Sequence, residues 1–274
     1  MNDVADVEAP DDARRRAARE LRAQVRAGAH DGLMTGLAPG VVQANLVVLP
    51  ADWAEEFHEF CRLNAKSCPL LAASRPGEPK LPSLGADIDV RTDLPRYYVF
   101  RDGERVDEVS DIGALWRDDF VAFALGCSYS FEGPLLDAGL RLRHQDQGLK
   151  VPTYLTDIET VPAGRFHGPS IVSMRPFSPA DAIRAIAITS RMEKVHGAPI
   201  HFGDPTAIGI PSLDHTYGEA TPVTLHPGDV PLFWACGVTP QVVMERARPP
   251  IAITHKPGHM LLTDLMNAEL ADTA

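Results

Sequence analysis

The chain has 274 residues, 45% of them hydrophobic and 23% charged, with a net charge of −11, which is typical of a globular protein with room for one large domain or two small ones. The acidic balance argues against general affinity for nucleic acids or for anionic membranes. Four cysteines are too few for a disulfide scaffold, and neither a signal peptide nor a membrane-spanning apolar run is recognisable, so we expect free thiols in a cytoplasmic protein.

The first quarter of the chain predicts a tail, a helix, a strand and a second helix. Residues 1–10 are acidic and end in proline, and we expect them to be disordered. A segment rich in Ala, Leu and Arg that ends near Gly28 predicts a helix. The apolar segment 41–50 predicts a buried strand, and Asp52 is placed to cap a second helix over 53–65.

The next segments predict a strand, a hairpin and two helices. Residues 69–74 predict a short strand. Alternating apolar and polar residues flank Asp102 and Gly103, a dipeptide that favours a tight hairpin turn. A helix is predicted over 112–125, followed by an interruption and a shorter helix that Ser130 would cap.

The second half of the chain alternates strands and helices. Its predicted elements are a strand at 168–177, a helix at 179–197, a strand at 199–203, a strand at 230–236, a helix at 239–247 and a strand at 251–255. We expect Ser178 to cap the first of these helices, with Pro179 and Asp181 in its first turn. Strand–helix–strand units with short crossovers favour parallel pairing, so at least some parallel strands are expected.

These elements predict a mixed α/β (α+β) fold with two lobes, each a mixed sheet packed with helices. The boundary is expected between Gly139 and Val151. The main lobe would comprise residues 11–140 and about 225–274, and a smaller α+β lobe would comprise about 141–224.

A cysteine at the end of a buried strand is the first candidate for chemistry. Cys236 ends one predicted strand, and His255 ends the next strand of the same unit. Ligands gather beyond the carboxyl ends of parallel strands, so the two side chains are expected to share a cleft. The intervening helix, capped by Thr239, would offer N–H groups after Gly237 to an anion and lower the pKa of the thiol. Alternatively, Cys236 is only a small buried apolar residue.

The segment 126–134 brings a thiol, hydroxyls, a phenol and a carboxylate together. Cys127 and Glu132 are candidates for proton transfer, and Ser128 is a candidate for binding substrate. A purely structural interpretation, in which Ser130 caps a helix, leaves Cys127 unexplained.

Two arginines and a histidine–aspartate pair are further candidates for substrate binding. Arg165 and Arg175 lie at either end of one predicted strand, and a planar guanidinium suits a carboxylate. The alternative is that both are ordinary surface residues. His201 and Asp204 lie close to the end of another predicted strand.

Neither a metal nor a cofactor is predicted. His255 and His259 have a spacing that would bind zinc on a helix, but Pro257 and Gly258 exclude a helix there, and no third ligand is suitably spaced. Neither glycine-rich nucleotide-binding motif occurs, so a reaction independent of ATP and of dinucleotides is expected.

Six segments together resemble a known family. They are CRLNAKSCPLL, GCSYSFEGPL, VPTYLTDIETVPAGRFHGPSIVSMRP, HGAPIHFGDPTAIGI, GDVPLFWACGVTPQ and ITHKPGHM. In this order, from about Arg19 to Leu265, they resemble the "putative hydro-lyase" family of D-glutamate cyclase-like proteins. The segment AKSCPLL departs from the more proline-rich stretch of many relatives, so no role is assigned to Cys68.

The resemblance implies a two-lobed α/β structure and a lyase that acts on a small carboxylate. The related mitochondrial enzyme converts D-glutamate to 5-oxo-D-proline and water. The resemblance supplies no catalytic residues, so their choice depends on residue chemistry. We expect Arg175 to anchor a carboxylate and the N–H groups after Gly237 to stabilise an oxyanion, while His255, Glu132 or the thiols move protons.

Other functions fit the same residues. The chain would serve equally as a non-catalytic small-carboxylate binding protein, as a dehydratase of a hydroxy-acid, or as a racemase if two thiols face each other. The expected partners are a small-molecule carboxylate and, by default, a second copy in a homodimer. No nucleic acid and no membrane are expected.

Overall fold

The computed structural model describes residues 9–270 and shows a mixed α/β protein with two sheets and seven helices. The helices are α1 (Pro10–Arg26), α2 (Ala51–Leu63), α3 (Glu132–Asp137), α4 (Arg143–Asp146), α5 (Pro179–Thr189), α6 (Thr239–Ala247) and α7 (Asn267–Leu270). The strands are β1 (Val41–Pro50), β2 (Leu70–Ala73), β3 (Tyr97–Arg101), β4 (Glu104–Val109), β5 (Phe120–Gly126), β6 (Thr153–Glu159), β7 (Pro169–Phe177), β8 (His201–Phe202), β9 (Val230–Ala235), β10 (Ala252–His255) and β11 (Leu261–Met266).

The larger sheet has seven strands arranged around β1. Its order is β2-β5-β1-β10-β3-β4, and β11 also pairs with β1. All ten residues of β1 are buried, because neighbouring strands flank it and apolar clusters cover both faces. This explains why the strand is a nearly continuous apolar run.

The smaller sheet has four strands in the order β6-β7-β9-β8. Every named strand pair in both sheets is antiparallel, so the expectation of parallel pairing and of mixed sheets was wrong. Although β9, α6 and β10 follow one another in the chain, β9 belongs to the smaller sheet and β10 to the larger one. The short crossover therefore links two sheets instead of two neighbouring strands.

A turn and a helix cap, which depend only on residues adjacent in sequence, form as predicted. The hairpin β3–β4 turns at Asp102 and Gly103, whose φ angles are 49° and 82°, as a two-residue turn with positive φ requires. Ser178 caps α5 by accepting a hydrogen bond from the Asp181 N–H. Both predictions are confirmed.

The helix predicted over 112–125 is wrong. Only Gly113–Leu115 form a short 3-10 turn, and Phe120–Gly126 form β5, whose seven residues are all buried. A short apolar run is compatible with either a buried strand or a helix. Here the segment is a strand because it pairs with β1 and β2.

Three predicted helix caps do not form. Neither Asp52 nor Thr239 caps a helix, and each lies within the first turn instead. The Ser130 hydroxyl accepts a hydrogen bond from the Gln43 N–H at 2.9 Å, which ties the segment after β5 to β1. None of the three helices, α2, α3 and α6, has a side-chain cap.

The chain ends differ from expectation as well. Leu261–Met266 form β11, a strand that is absent from the predicted elements. Residues 1–8 of the expected tail lie outside the described residues, and α1 begins at Pro10. The boundaries of the two lobes stay a prediction. Within residues 9–270, no helix has both the length and the apolar character needed to span a membrane.

The glycine at the end of β5 permits a close backbone contact. A Cβ at Gly126 would lie 1.9 Å from the Lys194 carbonyl oxygen. We expect Gly126→Ala to lower the free energy of unfolding, measured by urea denaturation, by about 1–3 kcal/mol through overpacking. Gly32→Ala is the control, because a Cβ there meets only His30 at 3.6 Å. Equal stability of the two variants would contradict the prediction.

Candidate active site

One cavity of about 600 Å³ is lined by residues from both sheets. Asn45 comes from β1, Tyr98 and Phe100 come from β3, Thr153 comes from β6 and His255 comes from β10. The loop from Tyr217 to Ala220 and the start of α6 form further parts of its wall.

Five predicted site residues line this cavity: Cys127, Ser128, Cys236, Gly237 and His255. The expectation that the thiol at 236 and the imidazole at 255 share one hollow is confirmed. The reason differs from the one predicted, because β9 and β10 deliver these residues from separate sheets.

The two thiols occupy similar positions. Cys127 follows β5 and Cys236 follows β9, and each sulfur accepts a hydrogen bond from the N–H two residues further on, that of Tyr129 or Val238. Cys127 is 6% exposed and Cys236 is 7% exposed. Each thiol therefore lies where a buried strand gives way to a helical turn.

Both thiols are protonated at neutral pH. Burial raises the pKa of Cys236 to about 11, outweighing the Val238 N–H and the Arg175 charge, which act in the opposite direction. Burial likewise raises the pKa of Cys127 to about 12. The expectation that the helix N-terminus lowers the pKa of Cys236 was wrong, because loss of water around the sulfur is the larger effect.

The raised pKa values predict slow alkylation. Iodoacetamide should modify Cys236 and Cys127 slowly at pH 7, with a rate that rises about tenfold per pH unit to pH 9, because only the thiolate reacts. Mass spectrometry of each peptide measures the rate. Cys61 and Cys68, which are 1% and 0% exposed, are internal controls that should stay unmodified. Rapid alkylation at pH 7 would contradict the prediction.

The imidazole of His255 is neutral and fixed in orientation. Burial lowers its pKa to about 4. Its Nδ1 lies 3.4 Å from the Leu46 carbonyl oxygen, to which it can donate, and the Gln241 amide donates to the His255 carbonyl oxygen at 3.0 Å. With Nδ1 turned to the backbone, Nε2 is the ring nitrogen left to exchange protons with a ligand.

Glu132 and Arg175 form a buried ion pair behind the cavity instead of lining it. The Arg175 Nε donates to Glu132 Oε1 at 2.9 Å, and Gln145 donates to Oε2 at 2.8 Å. Burial acts to raise the pKa of Glu132, but the charges of Arg175 and His144 hold it at about 2. Glu132 is therefore an ionised partner of Arg175 and not a proton donor at neutral pH.

Arg175 reaches the cavity only through Ser128. Its Nη2 donates to the Ser128 Oγ at 3.2 Å, and Nη1 donates to the Ser173 Oγ at 3.2 Å. Because the Ser128 oxygen accepts from a cation, its own hydrogen is free to be donated to a ligand in the cavity. The guanidinium is fully buried and does not line the cavity, so the predicted direct contact of Arg175 with a carboxylate has no support from this arrangement.

The remaining predicted residues lie elsewhere. Arg165 pairs with Glu56 and stacks 3.6 Å over the Trp53 ring. The Thr239 hydroxyl accepts from the Ile171 N–H at 3.0 Å. His201 and Asp204 contact each other and line no part of the cavity. Their roles in binding substrate stay predictions without support from this arrangement.

Lys150 is a cation of the cavity that sequence reasoning missed. It lines the wall, and within residues 9–270 its Nζ has no ion-pair or hydrogen-bond partner. It lies in a loop between α4 and β6, where no local pattern marks it. An unpaired lysine in a partly enclosed cavity is suited to bind a carboxylate.

A loop closes one side of the cavity and was also missed. The Tyr217 N–H donates to the Thr153 carbonyl oxygen at 2.6 Å. The Tyr98 hydroxyl donates to Glu219 Oε1 at 3.1 Å, and Lys256 Nζ lies 3.7 Å from Glu219 Oε2. These contacts hold the loop across the cavity.

Gly237 permits a close approach of Asn45. A Cβ at position 237 would lie 1.9 Å from the Asn45 Nδ2, the atom that donates to the Gly126 carbonyl oxygen at 2.8 Å. The backbone between Cys236 and α6 is thereby held against β1 at the cavity wall. Within residues 9–270, no group of three or more His, Cys, Asp or Glu residues is arranged to hold a metal ion.

Comparison with known proteins assigns the chain to a family. Residues 121–264 match the family described as D-glutamate cyclase. A protein of Verminephrobacter eiseniae named "Putative hydro-lyase" is 56% identical over 253 residues, which is 92% of each chain. A similarly named protein of Bordetella petrii is 58% identical over 251 residues, or 91% of this chain and 94% of the relative.

Among solved structures, a nitrogen repressor-like protein from Methanococcus jannaschii is 10% identical, with a TM-score of 0.37 over 89% of this chain and 96% of that one. This likeness is too weak to support any conclusion. The sequence matches are close and cover nearly the whole chain, and they show that it belongs to the D-glutamate cyclase family of hydro-lyases.

Proposed function

We propose that the protein cyclises D-glutamate to 5-oxo-D-proline with loss of water, without ATP. Membership of the D-glutamate cyclase family supports this substrate. The observation that carries the proposal is the grouping of two protonated thiols, a neutral imidazole and an unpaired lysine in one cavity.

The reaction needs only proton transfer and charge stabilisation. The amine nitrogen forms a bond to the γ-carboxyl carbon, and one carbon–oxygen bond of that carboxyl group breaks. Two protons leave the ammonium group and both end on the departing oxygen, which leaves as water. The products retain one carboxylate, so no proton is gained or lost overall.

Lys150 is suited to bind the α-carboxylate, because it lines the cavity and its Nζ forms no ion pair or hydrogen bond within residues 9–270, although its charge also acts on Glu219. His255 is suited to take a proton from the ammonium group through Nε2, because its imidazole is neutral at pH 7. The negative charge of a bound substrate would make this base stronger than it is in the free protein.

The γ-carboxyl group would face hydrogen-bond donors of the cavity wall. The Ser128 hydroxyl, which Arg175 polarises, and the Gly237 N–H are suited to stabilise the oxyanion. Cys236 or Cys127 is suited to protonate the departing oxygen, because both thiols carry their proton at neutral pH. A covalent thioester formed from a free carboxylate is uphill, so an acid–base route is favoured.

In the decisive experiment, purified protein is incubated with D-glutamate, and 5-oxoproline is measured by chiral chromatography. L-Glutamate and a reaction without enzyme are the controls. We expect enzyme-dependent formation of 5-oxo-D-proline. If no product forms at high enzyme concentration, D-glutamate is not the substrate.

A second measurement separates catalysis from binding alone. The double variant Cys127→Ser and Cys236→Ser should still bind D-glutamate in a calorimetric titration but lose most of its turnover, because serine hydroxyls are poorer acids than thiols. Unchanged turnover would remove the thiols from the mechanism. Binding without turnover by the unmodified protein would favour a carboxylate-binding protein.

A further inference from the structure

The cavity is larger than glutamate requires. Glutamate has ten non-hydrogen atoms, and at the ~30 Å³ that one water molecule occupies in the liquid it would need at most about 300 Å³. The cavity measures about 600 Å³. Roughly half of its volume therefore lies beyond the space that the proposed substrate fills.

The two parts of the cavity differ in chemistry. The groups proposed for the reaction are buried, with Cys127, Ser128, Cys236 and His255 between 2% and 7% exposed. The other part of the wall carries the side chains of Arg105 and Glu219, which are 52% and 54% exposed. The reactive groups therefore lie at the inner end, and the extra volume opens towards solvent.

Aromatic rings form part of the cavity wall, and the Tyr98 hydroxyl connects them to Glu219 on the exposed side. Tyr98, Phe100 and Tyr217 all belong to the cavity wall. The Arg105 guanidinium lies 4.5 Å from the Tyr98 ring centroid, and Tyr217 packs against the apolar cluster that contains Cys236 and Val238. Rings fixed in this way offer a stacking surface to a planar group that extends outward from the reacting carbon.

We propose that the same site also cyclises γ-glutamyl amides of aromatic amines, with the glutamyl part at the inner end and the amine against Tyr98, Phe100 and Tyr217. This inference rests on the proposed function, because it uses the same attack of the α-amine on the γ-carbonyl carbon. In this reaction an amine leaves, whereas water leaves in the cyclisation of D-glutamate.

The step balances without any co-reactant. The α-nitrogen forms a bond to the γ-carbonyl carbon, and the bond from that carbon to the amide nitrogen breaks. Of the two protons that leave the ammonium group, one ends on the departing nitrogen, which leaves as the neutral aromatic amine, and the other passes to solvent. An amide carbonyl is already neutral, so the site need not first neutralise a γ-carboxylate.

The test uses γ-D-glutamyl-4-nitroanilide, whose release of 4-nitroaniline is followed by absorbance, with 5-oxoproline measured by chromatography. The α-D-glutamyl anilide is the matched control, because closure of the five-membered ring cannot expel its anilide. We expect equal amounts of nitroaniline and 5-oxoproline from the γ isomer and neither from the α isomer. Release of nitroaniline with free glutamate would overturn the inference, since it shows hydrolysis.

Two variants of Tyr217 test whether the leaving amine binds against the aromatic rings. Tyr217→Ala should lower the ratio of kcat/KM for the anilide to kcat/KM for D-glutamate by about three- to tenfold through loss of ring stacking. Tyr217→Phe keeps the ring and should keep the ratio. An unchanged ratio in Tyr217→Ala would overturn the assignment of the aromatic wall to the amine.

The two assays distinguish a failure of this inference from a failure of the proposed function. Turnover of D-glutamate without turnover of the γ-anilide overturns this inference and leaves the proposed function in place. Cyclisation of the anilide without turnover of D-glutamate supports this inference and removes free glutamate as the substrate. Inactivity towards both overturns both.

Discussion

Replacing Arg175 by Met is expected to lower the free energy of unfolding by about 3–5 kcal/mol, because it leaves the Glu132 carboxylate charged and buried. Arg175 is 0% exposed and Glu132 is 3% exposed, so water cannot replace the lost partner. The measurement is urea denaturation at pH 7. Activity should fall as well, because Ser128 loses the donor that fixes its hydroxyl.

Two further variants separate the buried charge from packing. Arg175→Met combined with Glu132→Gln should recover part of the lost stability, since no buried charge remains unpaired. Arg62→Met removes an exposed partner of Glu59, with side chains 63% and 44% exposed, and should leave the unfolding midpoint in place. Equal effects of Arg175→Met and Arg62→Met would show that the buried pair does not stabilise the fold.

Replacing His255 by Asn is expected to lower kcat about 100- to 10,000-fold in the D-glutamate assay, the range associated with loss of a general base. The Asn amide nitrogen can still donate to the Leu46 carbonyl oxygen that Nδ1 faces, so the thermal unfolding midpoint should change little. Activity and stability are thereby separated in one variant.

His259→Asn is the matched control, because His259 is buried in the loop that follows β10 but does not line the cavity. Its kcat should stay close to that of the parent protein. For the parent, kcat/KM should be level near neutral pH and fall as pH drops through about 4, where the lowered pKa of His255 places its protonation. Full activity of His255→Asn would assign the base to another residue.

The fold was predictable where residues adjacent in sequence determine the local structure. The continuous apolar run of β1, the Asp102-Gly103 turn and the Ser178 cap each depend on a few adjacent residues, and the structure has all three. The strand Phe120–Gly126 was mistaken for a helix, because its identity depends on pairing with β1 and β2 far along the chain.

The candidate site was predictable in part for a similar reason. Cys236 and His255 each follow an apolar strand, and strand ends are marked in the sequence. The position of Lys150 in the cavity depends on the path of a loop, and no periodic pattern encodes that path. Arg175 was predicted to anchor a substrate carboxylate, but only packing shows that Glu132 already binds its guanidinium.

The pairing of β1 has a consequence for how the protein is made. β1 comes early in the chain, yet two of its partners, β10 and β11, come near the end, and Val41 pairs with Met266. During synthesis, β1 lacks these two partners until residues 252–266 have been added. Folding is therefore expected to be slow, at a rate set by these distant contacts, and chaperones would act before they form.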